Sequence, residues 1–318
     1  MPLFINERTV SSKIIVLDAL KRRIDAHHPN HEYVSSLLRR AEVGYQGELK
    51  VDRFWKEMIL PQNSLLLHNY EIRNDFGNLH QIDTLFVCPH FILVLEIKNV
   101  SGSIWYENNK HQFLRRKKTG EMESFQSPFD QVQRHVEMIE RIVGRLGLTI
   151  PVHKAVVIAE SSTIIGEVPN DFPIFHGIGL PVEIKKLLLK YTNSVLSPIH
   201  YEMLAKSIQS LHNPSTYVPR FEIPPLRKGA ICECGGRMEY NYGKFLCACG
   251  MHSKEPLYQS LHDYRVLVKE WISNREFRDF FSIESQHSAS KLLTRLNFDT
   301  IGSTKNRSYL IPKDIWSK

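Results

Sequence analysis

The chain has 318 residues, of which 42% are hydrophobic, enough for a large core and for more than one domain. Its formal net charge of +7 is compatible with an anionic polymer as partner. No apolar run approaches the ~20 residues that span a membrane, and the first residues lack the basic-then-apolar form of a secretory signal. We therefore expect a cytoplasmic protein that does not associate with membranes.

Helical patterns dominate the first part of the chain. The segment from Glu7 to Arg40 predicts two N-terminal helices. The apolar spacing from Gly47 to Trp55 predicts another helix, with Glu48 near its start. Because a helix dipole favours a carboxylate at that position, Glu48 by itself indicates no function.

Two acids and a lysine interrupt the next two predicted elements. The segments HQIDTLFV and FILVLEIKNV flank a short CPH turn and indicate a β-hairpin. The unbroken apolar run from Phe91 to Leu95 indicates a strand that is covered on both faces. Side chains alternate along a strand, so Glu96 and Lys98 share one face. A turn of two or four residues would place Asp83 directly opposite Glu96.

This grouping suits metal-dependent phosphodiester chemistry. Asp83, Glu96 and the carbonyl of Ile97 could hold Mg²⁺ (or Mn²⁺), a hard cation that prefers oxygen ligands. Lys98 could orient the attacking water or stabilise charge on the phosphorus. The alternative is a buried ion pair between Lys98 and one of the acids, without catalysis.

Further elements follow along the chain. The basic run Arg115-Arg116-Lys117-Lys118 is either a solvated hairpin tip or a phosphate contact. Gln131 opens a segment with helical apolar spacing, and its amide could hold a phosphate or a water. The segment KAVVIAE predicts a strand, and residues 180–191 and 198–211 predict helices.

In this order the motifs resemble the nuclease-related domain (NERD) of the PD-(D/E)XK nuclease superfamily. The resemblance extends over roughly residues 41–160. It implies an α/β, restriction-endonuclease-like core, a mixed central sheet flanked by helices, with Glu48, Asp83, Glu96, Lys98 and Gln131 in the active site. The matching elements are Gly47-Glu48, Gln81-Ile82-Asp83, Glu96-Ile97-Lys98-Asn99, Gly102 with Ile104 and Trp105, and Pro128 with Gln131.

Four of the five cysteines form two close pairs. Cys232 and Cys234 precede one glycine pair, and Cys247 and Cys249 precede another glycine, with a predicted hairpin between them. Two such knuckles resemble a zinc ribbon, since thiolates suit tetrahedral Zn²⁺ and glycines permit tight turns. Both pairs have the spacing C-x-C where C-x-x-C is usual. The alternative is four free thiols.

The last sixty residues predict helices followed by a two-stranded ribbon. The expected helices are residues 257–273, residues 275–281 capped by Asn274, and residues 284–297, and FDTIGSTKNRSYLIP predicts the two strands. This order resembles a winged helix-turn-helix, which binds DNA or docks proteins. The residues expected to contact nucleic acid here are Gln286, His287, Lys291, Arg295, Lys305 and Arg307.

The sequence therefore predicts five parts along the chain. These are N-terminal helices at 1–40, a NERD nuclease core with a helical extension at 41–212, a proline-rich linker at 213–229, a zinc ribbon at 230–253, and a winged-helix-like domain at 257–318. The expected function is a Mg²⁺-dependent deoxyribonuclease in DNA processing, repair or defence against foreign DNA. Two alternatives stay open: a non-catalytic DNA-binding regulator with a nuclease fold, and an RNA nuclease.

Overall fold

The structure, a computed structural model, describes residues 4–169, 172–241, 244–303 and 306–317. The chain divides into two compact units. The first unit contains the residues up to Ser11 and Glu42–Thr216, and the second contains Ser12–Ala41 and the residues from Tyr217 onward. These boundaries differ from those expected from sequence. No helix in the described ranges is long and apolar enough to cross a membrane.

Helices and strands alternate along the chain. The helices are α1 Ser12–Arg23, α2 Pro29–Trp55, α3 Pro128–Arg145, α4 Leu180–Lys190, α5 Pro198–Leu211, α6 Glu255–Leu267, α7 Asn274–Phe281 and α8 Gln286–Leu296. The strands are β1 Phe4–Asn6, β2 Leu65–Arg73, β3 Leu79–Val87, β4 Ile92–Lys98, β5 Ser103–Glu107, β6 Gln112–Arg116, β7 Met122–Gln126, β8 Val152–Ile158, β9 Ile164–Ile165, β10 Ile174–His176, β11 Glu239–Asn241, β12 Lys244–Leu246, β13 Trp271–Ser273, β14 Thr300–Ile301 and β15 Ser308–Leu310. Short 3₁₀ helices lie at Asn108–Lys110, Gly177–Gly179 and Ile315–Ser317.

A six-stranded mixed sheet forms the centre of the first unit, in the order β1-β2-β3-β4-β8-β10. Strands β2, β3 and β4 are antiparallel neighbours, whereas β4 pairs in parallel with β8. Helices α3 and α5 contribute to the apolar core on one face of the sheet. Helices α2 and α4 contribute to the core on the other face. The mixed α/β arrangement with flanking helices is thus confirmed.

The hairpin β3–β4 confirms the expectation of a strand covered on both faces. Ile92 and Val94 belong to one apolar core, while Phe91, Leu93 and Leu95 belong to the other. Since side chains alternate along a strand, an unbroken apolar run is required where both faces of the sheet are covered.

The expectation of a helix that begins at Gly47-Glu48 is wrong. Helix α2 begins at Pro29 and runs for 27 residues, so Glu48 lies deep inside it and receives no benefit from a nearby N-terminus. The apolar spacing continues through Val34 and Leu38, both buried, without a breaking residue before Gly44.

A second sheet of the first unit carries the basic run. Its order is β7-β6-β5-β9, and Lys117 begins the turn between β6 and β7, where the Gly120 N–H donates to the Lys117 carbonyl. The run therefore begins on a strand and ends in a hairpin turn.

In the second unit, the cysteine-rich segment and the C-terminal helices share one apolar core. Cys232, Met238 and Phe245 pack in the same cluster as Phe277 and Leu293. Strands β11 and β12 form the expected hairpin between the cysteine pairs.

Two details of the tail differ from expectation. Helix α6 ends at Leu267, and Trp271–Ser273 is a strand rather than helix. The cap of α7 is Ser273, not Asn274: the Ser273 hydroxyl accepts from the Glu276 N–H, and the Glu276 carboxylate accepts from the Ser273 N–H. This reciprocal pair gives α7 its N-terminus while Ser273 still ends β13.

Candidate active site

The hairpin β3–β4 brings Asp83 and Glu96 together at the end of the strands. The register pairs Thr84 with Leu95, so one further step places Asp83 opposite Glu96, as the turn length predicted. The Asp83 carboxylate accepts a hydrogen bond of 2.7 Å from the Ile97 N–H. This bond fixes the Asp83 side chain against β4.

Lys98 and Gln131 complete this side of the site. The Lys98 Nζ donates to Glu96 Oε1 at 2.6 Å and to Gln131 Oε1 at 3.3 Å. Ser127 caps α3 by accepting from the Asp130 N–H, which places Gln131 in the first turn of the helix. His135, one turn further along α3, has its Nδ1 4.0 Å from Glu96 Oε2.

Glu96 is held in an environment that opposes its charge. Its side chain is 1% exposed, and within the described structure its Oε2 has no hydrogen-bond partner. Burial, followed by repulsion from Asp83, raises the pKa of Glu96 from 4.5 to about 8. Lys98 and its hydrogen bond act in the opposite direction but do not outweigh burial.

The other two acids show the same tendency. Burial, together with repulsion from Asp83, raises the pKa of Glu48 to about 7. Burial also raises the pKa of Asp83 above its usual value, although Lys98 opposes the shift. Burial lowers the pKa of Lys98, but Glu96 and Asp83 reverse that effect and raise it overall. Lys98 therefore keeps its positive charge, whereas Glu48, Asp83 and Glu96 bind protons more readily than free carboxyl groups do.

Gly47 allows α2 to approach the end of β4. A Cβ atom at Gly47 would lie 2.3 Å from the Cβ of Asn99, which is closer than side chains can pack. Asn99 donates from Nδ2 to the Val43 carbonyl at 2.7 Å and so ties the helix to the strand end. This contact explains why glycine precedes Glu48 in the motif and asparagine follows Lys98.

A buried arginine, which no sequence pattern indicated, holds Glu48 in place. Arg8 Nη1 donates to Glu48 Oε2 at 2.7 Å, and Arg8 Nε donates to Asp52 Oδ2 at 2.7 Å. Arg8 also donates to the Asp83 carbonyl at 2.9 Å and to the hydroxyl of Thr84 at 3.1 Å. With its side chain 1% exposed, Arg8 connects α2 to β3.

Part of this network was accessible to sequence reasoning. Asp52 lies four residues after Glu48, a spacing that places both carboxylates on one face of a helix. His135 follows Gln131 by the same spacing on α3. Arg8 lies 40 residues before Glu48 and 75 before Asp83. No local pattern connects residues so far apart.

Two of the four residues in the basic run 115–118 are paired with acids. Arg115 forms an ion pair with Glu123, and Lys117 pairs with Glu121 at 3.0 Å and with Glu123 at 2.5 Å. Arg116 lies over the Trp105 ring at 5.8 Å, and Lys118 is exposed. Arg116 and Lys118 are therefore the members of the run best placed to contact a partner.

The predicted outer face of α8 is exposed. Ala289, Leu292, Leu293 and Leu296 are buried, as expected for the inner face. On the opposite side Gln286, His287, Lys291 and Arg295 are exposed, and so is Arg307 in the segment before β15. Lys305 lies outside the described residues.

The four cysteines Cys232, Cys234, Cys247 and Cys249 converge. Their sulfur atoms lie within 4.8 Å of one another, at 3.8 Å between Cys232 and Cys249 and 3.5 Å between Cys234 and Cys247. In the described part of the chain this is the one group of three or more His, Cys, Asp or Glu side chains with ligand atoms this close. Four thiolates at about 2.3 Å from a tetrahedral ion would be about 3.8 Å apart.

Two similar turns build this cluster. The Gly235 N–H donates to the Cys232 carbonyl at 2.8 Å, and the Gly250 N–H donates to the Cys247 carbonyl at 2.9 Å. Both glycines have positive φ, at 81° and 88°, which explains the glycine after each C-x-C pair. A hydrogen bond from the Gly236 N–H, followed by bonds from neighbouring thiols, lowers the pKa of Cys234 to about 7. Hydrogen bonds among the thiols, together with burial, raise the pKa values of Cys232 and Cys247 in spite of backbone hydrogen bonds that lower them, so Cys234 ionises more readily than either.

Part of the chain is similar to known proteins. The family model of the nuclease-related domain (NERD) matches residues 43–159. An uncharacterized protein of Bacillus anthracis is 30% identical over 103 residues, which are 31% of this chain and 46% of that protein. The chain thus spans about half the length of this curated relative. No solved structure matches the chain. The matched residues 43–159 include all five predicted active-site residues.

Proposed function

We propose that this protein is a metal-dependent nuclease that hydrolyses phosphodiester bonds in DNA. The observation that carries the proposal is Glu96 Oε2, a buried carboxylate oxygen without a hydrogen-bond partner in the described structure, beside Asp83 and Lys98. A buried acid in this state destabilises the fold, and such residues are found most often where function requires them. The nuclease-related domain that contains it supplies the reaction class.

The acids fit a divalent cation. Asp83, Glu96 and the Ile97 carbonyl offer the hard oxygen donors that Mg²⁺ or Mn²⁺ prefers, and Glu48 lies close enough to raise the pKa of Glu96. The raised pKa values of Glu48, Asp83 and Glu96 reflect burial first and repulsion from neighbouring carboxylates second. When bound, such an ion would polarise the phosphate and lower the pKa of a bound water.

Lys98 and Gln131 would position the reacting groups. An ammonium group has three N–H donors, and Lys98 uses two of them on Glu96 and Gln131. The third would donate to the attacking water or to a non-bridging phosphate oxygen, where negative charge develops. Because Gln131 accepts from Lys98 through Oε1, its Nε2 group is oriented to donate to a phosphate. Glu48 would orient water on the side of α2.

We also propose a fold type for the first unit and for the C-terminal tail. We assign the first unit to the restriction-endonuclease-like, PD-(D/E)XK type, supported by the mixed sheet and by the acids and lysine at the end of β3 and β4. We assign the tail to a winged helix-turn-helix. Its support is the order α6-β13-α7-α8-β14-β15 with a three-stranded sheet β13-β15-β14.

We further propose that Cys232, Cys234, Cys247 and Cys249 bind structural Zn²⁺, and that the second unit positions DNA through α8 and the segment around Arg307. The sulfur spacing supports tetrahedral coordination, and the shared apolar core supports a single ribbon–helix body. His252 lies outside the sulfur group.

Two other functions compete with this proposal. A non-catalytic DNA-binding regulator would bind DNA without turnover, and the exposed basic face of α8 favours binding of either kind. An RNA nuclease would use the same site, because the acids and lysine do not contact the sugar that distinguishes RNA from DNA.

The test is cleavage of supercoiled, linear and single-stranded DNA, and of RNA of the same sequence, with Mg²⁺ or Mn²⁺. Wild type is compared with Lys98→Ala and with Lys56→Ala, which removes an exposed lysine of the first unit. We expect cleavage that requires metal and Lys98, with DNA binding retained in both variants. DNA binding without metal-dependent cleavage by folded wild type would favour the regulator, and preferential cleavage of RNA would favour the RNA nuclease.

A further inference from the structure

The second unit contains a cavity that no predicted role explains. Its volume is about 290 Å³, and it is lined by β12, the segment that leads into α6, the first turn of α6, and α8. This volume is near the lower end of the roughly 300–1,000 Å³ of small-molecule sites, so the cavity fits one small group.

The charged side chains that line the cavity are all basic. Lys244, Lys254 and Arg295 surround it together with His252, and no Asp or Glu is among the lining residues of the described structure. In the same described ranges none of these three cations forms a side-chain ion pair, unlike Arg115 on β6 and Lys117 in the turn that follows it. Three unpaired cations around one opening favour an anion.

The remaining wall is apolar and aromatic. Phe245 is buried at 4% exposure and is packed against Tyr240 and Phe281. Tyr258 is half-buried, and its ring centroid lies 6.5 Å from that of Trp316 in an edge-to-face arrangement. The side chains of Phe245 and Tyr258 are therefore held by their own packing and offer preformed apolar surface. A ligand that matches this cavity combines a planar ring with negative charge.

We propose that this cavity holds one unpaired nucleotide of a DNA strand, with the base against Tyr258 and the phosphates against Lys254 and Arg295. The inference deepens the proposed function, on which its choice of DNA rests. Stacking of a base on an aromatic side chain is sequence-tolerant, and cations that follow the backbone add salt-dependent affinity. The cavity would thus bind single-stranded DNA and not a duplex, because a duplex offers no unpaired base.

The cysteine cluster shapes this site. Phe245 lies two residues before Cys247, and a β-bridge between Leu246 and His252 closes the loop that carries Cys247 and Cys249. The wall formed by Phe245 and His252 therefore depends on the folded ribbon. Binding has to be measured on zinc-loaded protein, without a chelator.

The test uses fluorescence anisotropy of labelled oligothymidylate, the matching RNA, and a labelled blunt duplex. The protein carries Lys98→Ala and the buffer contains no Mg²⁺, so that binding is measured whether or not the chain cleaves nucleic acid. On this background Tyr258→Leu removes the ring, whereas Tyr258→Phe retains it. Arg295→Ala removes a cavity cation, and Lys21→Ala removes an exposed lysine of α1 as the matched control.

We expect Tyr258→Leu to weaken single-strand binding about 5- to 150-fold, the loss equivalent to about 1–3 kcal/mol of base–aromatic stacking. Tyr258→Phe and Lys21→Ala should bind as the background does. Arg295→Ala should reduce the slope of log K against log salt by about 0.7, the value for one phosphate contact on a single strand. Duplex binding should be unaffected by Tyr258→Leu.

Equal binding by Tyr258→Leu and Tyr258→Phe, with both folded by circular dichroism, would overturn the proposal. An equal loss in Lys21→Ala and Arg295→Ala would also overturn it, since the attraction would then be diffuse. Tighter binding of RNA than DNA that still depends on Tyr258 would keep the nucleotide site and overturn the choice of DNA. Absence of cleavage by wild type, with these binding results intact, would contradict the nuclease proposal alone.

Discussion

Glu96→Gln separates a functional site from a structural ion pair. If Glu96 and Lys98 only stabilise the fold, removal of the charge leaves a buried lysine without its nearest partner and lowers the free energy of unfolding by about 3–5 kcal/mol. If Glu96 is kept for function, glutamine removes the cost of burying a charge at this position and the repulsion from Asp83. We expect the second result: a more stable protein that no longer cleaves.

The magnitude follows from the raised pKa. The shift from 4.5 to about 8 sets an upper limit of about 5 kcal/mol on what ionised Glu96 subtracts from stability above pH 8, at about 1.4 kcal/mol per unit. Because the pKa is higher in the folded than in the unfolded protein, wild type loses this stability as pH rises from about 4.5 through about 8. Glutamine does not titrate, so the variant escapes the loss.

The assay is thermal unfolding of metal-free protein between pH 5 and pH 8.5. With about 2 kcal/mol realised, the Tm of Glu96→Gln should exceed that of wild type by roughly 4–8 °C at the alkaline end and by almost nothing at the acid end. Glu140→Gln, an exposed acid on α3, is the control and should follow wild type. Added Mn²⁺ should raise the Tm of wild type but not of Glu96→Gln. A Tm for Glu96→Gln below that of wild type at pH 8.5 would refute the reasoning.

Three further predictions concern residues that stabilise the two units. Arg8→Ala removes a buried cation from two partly buried acids and should lower the free energy of urea unfolding by about 3–5 kcal/mol, with partial recovery in Arg8→Lys. An unchanged free energy of unfolding would show that the hydrogen bonds of Arg8 contribute little to stability. Cys247→Ser should abolish stoichiometric zinc in elemental analysis and make the second unit sensitive to protease, and full zinc retention would argue against four-sulfur coordination. Gly47→Ala should destabilise by about 1–3 kcal/mol because its Cβ would meet a side chain at 2.3 Å. Gly44→Ala, in the same helix with nothing within 4 Å, should stabilise by up to about 1 kcal/mol, and equal effects of the two would exclude the close approach.

Local patterns predicted the parts of the fold that local contacts build. The hairpin β3–β4 has its register set by a four-residue turn, so Asp83 and Glu96 could be placed from sequence. Helices α4 and α5 have apolar periodicity and proline near their first residues, and their bounds match the expectation closely.

Contacts between residues far apart in the sequence determine the features that local patterns did not predict. Strand β1 has three residues and exists because it pairs in parallel with β2, which no local pattern encodes. The N-terminal helix α1 belongs to the second unit because Arg22 and Arg23 form ion pairs with the buried Asp263 of α6, about 240 residues later. A composition-based boundary cannot detect such a partner. Arg8 was missed for the same reason.

Besides burial, the charge balance around the site raises the pKa values of Glu48, Asp83 and Glu96. Four carboxylates, Glu48, Asp52, Asp83 and Glu96, meet two cations, Arg8 and Lys98. Burial lowers the pKa of each neighbouring histidine, His68 and His135, to about 4, so neither adds positive charge at neutral pH.

Full ionisation would therefore leave two negative charges in a largely buried site, the charge that one divalent cation would neutralise. A network selected for stability alone would contain enough basic groups to balance its acids, because unpaired buried charge is among the most destabilising features a fold can carry. Here Arg8 donates a hydrogen bond to one oxygen of Glu48 on the α2 side, and Lys98 donates to one oxygen of Glu96 on the α3 side. The other oxygen of Glu96, Oε2, has no hydrogen-bond partner in the described structure. The deficit of positive charge and the unpaired oxygen lie at the same end of β4, and this coincidence supports the proposed metal site.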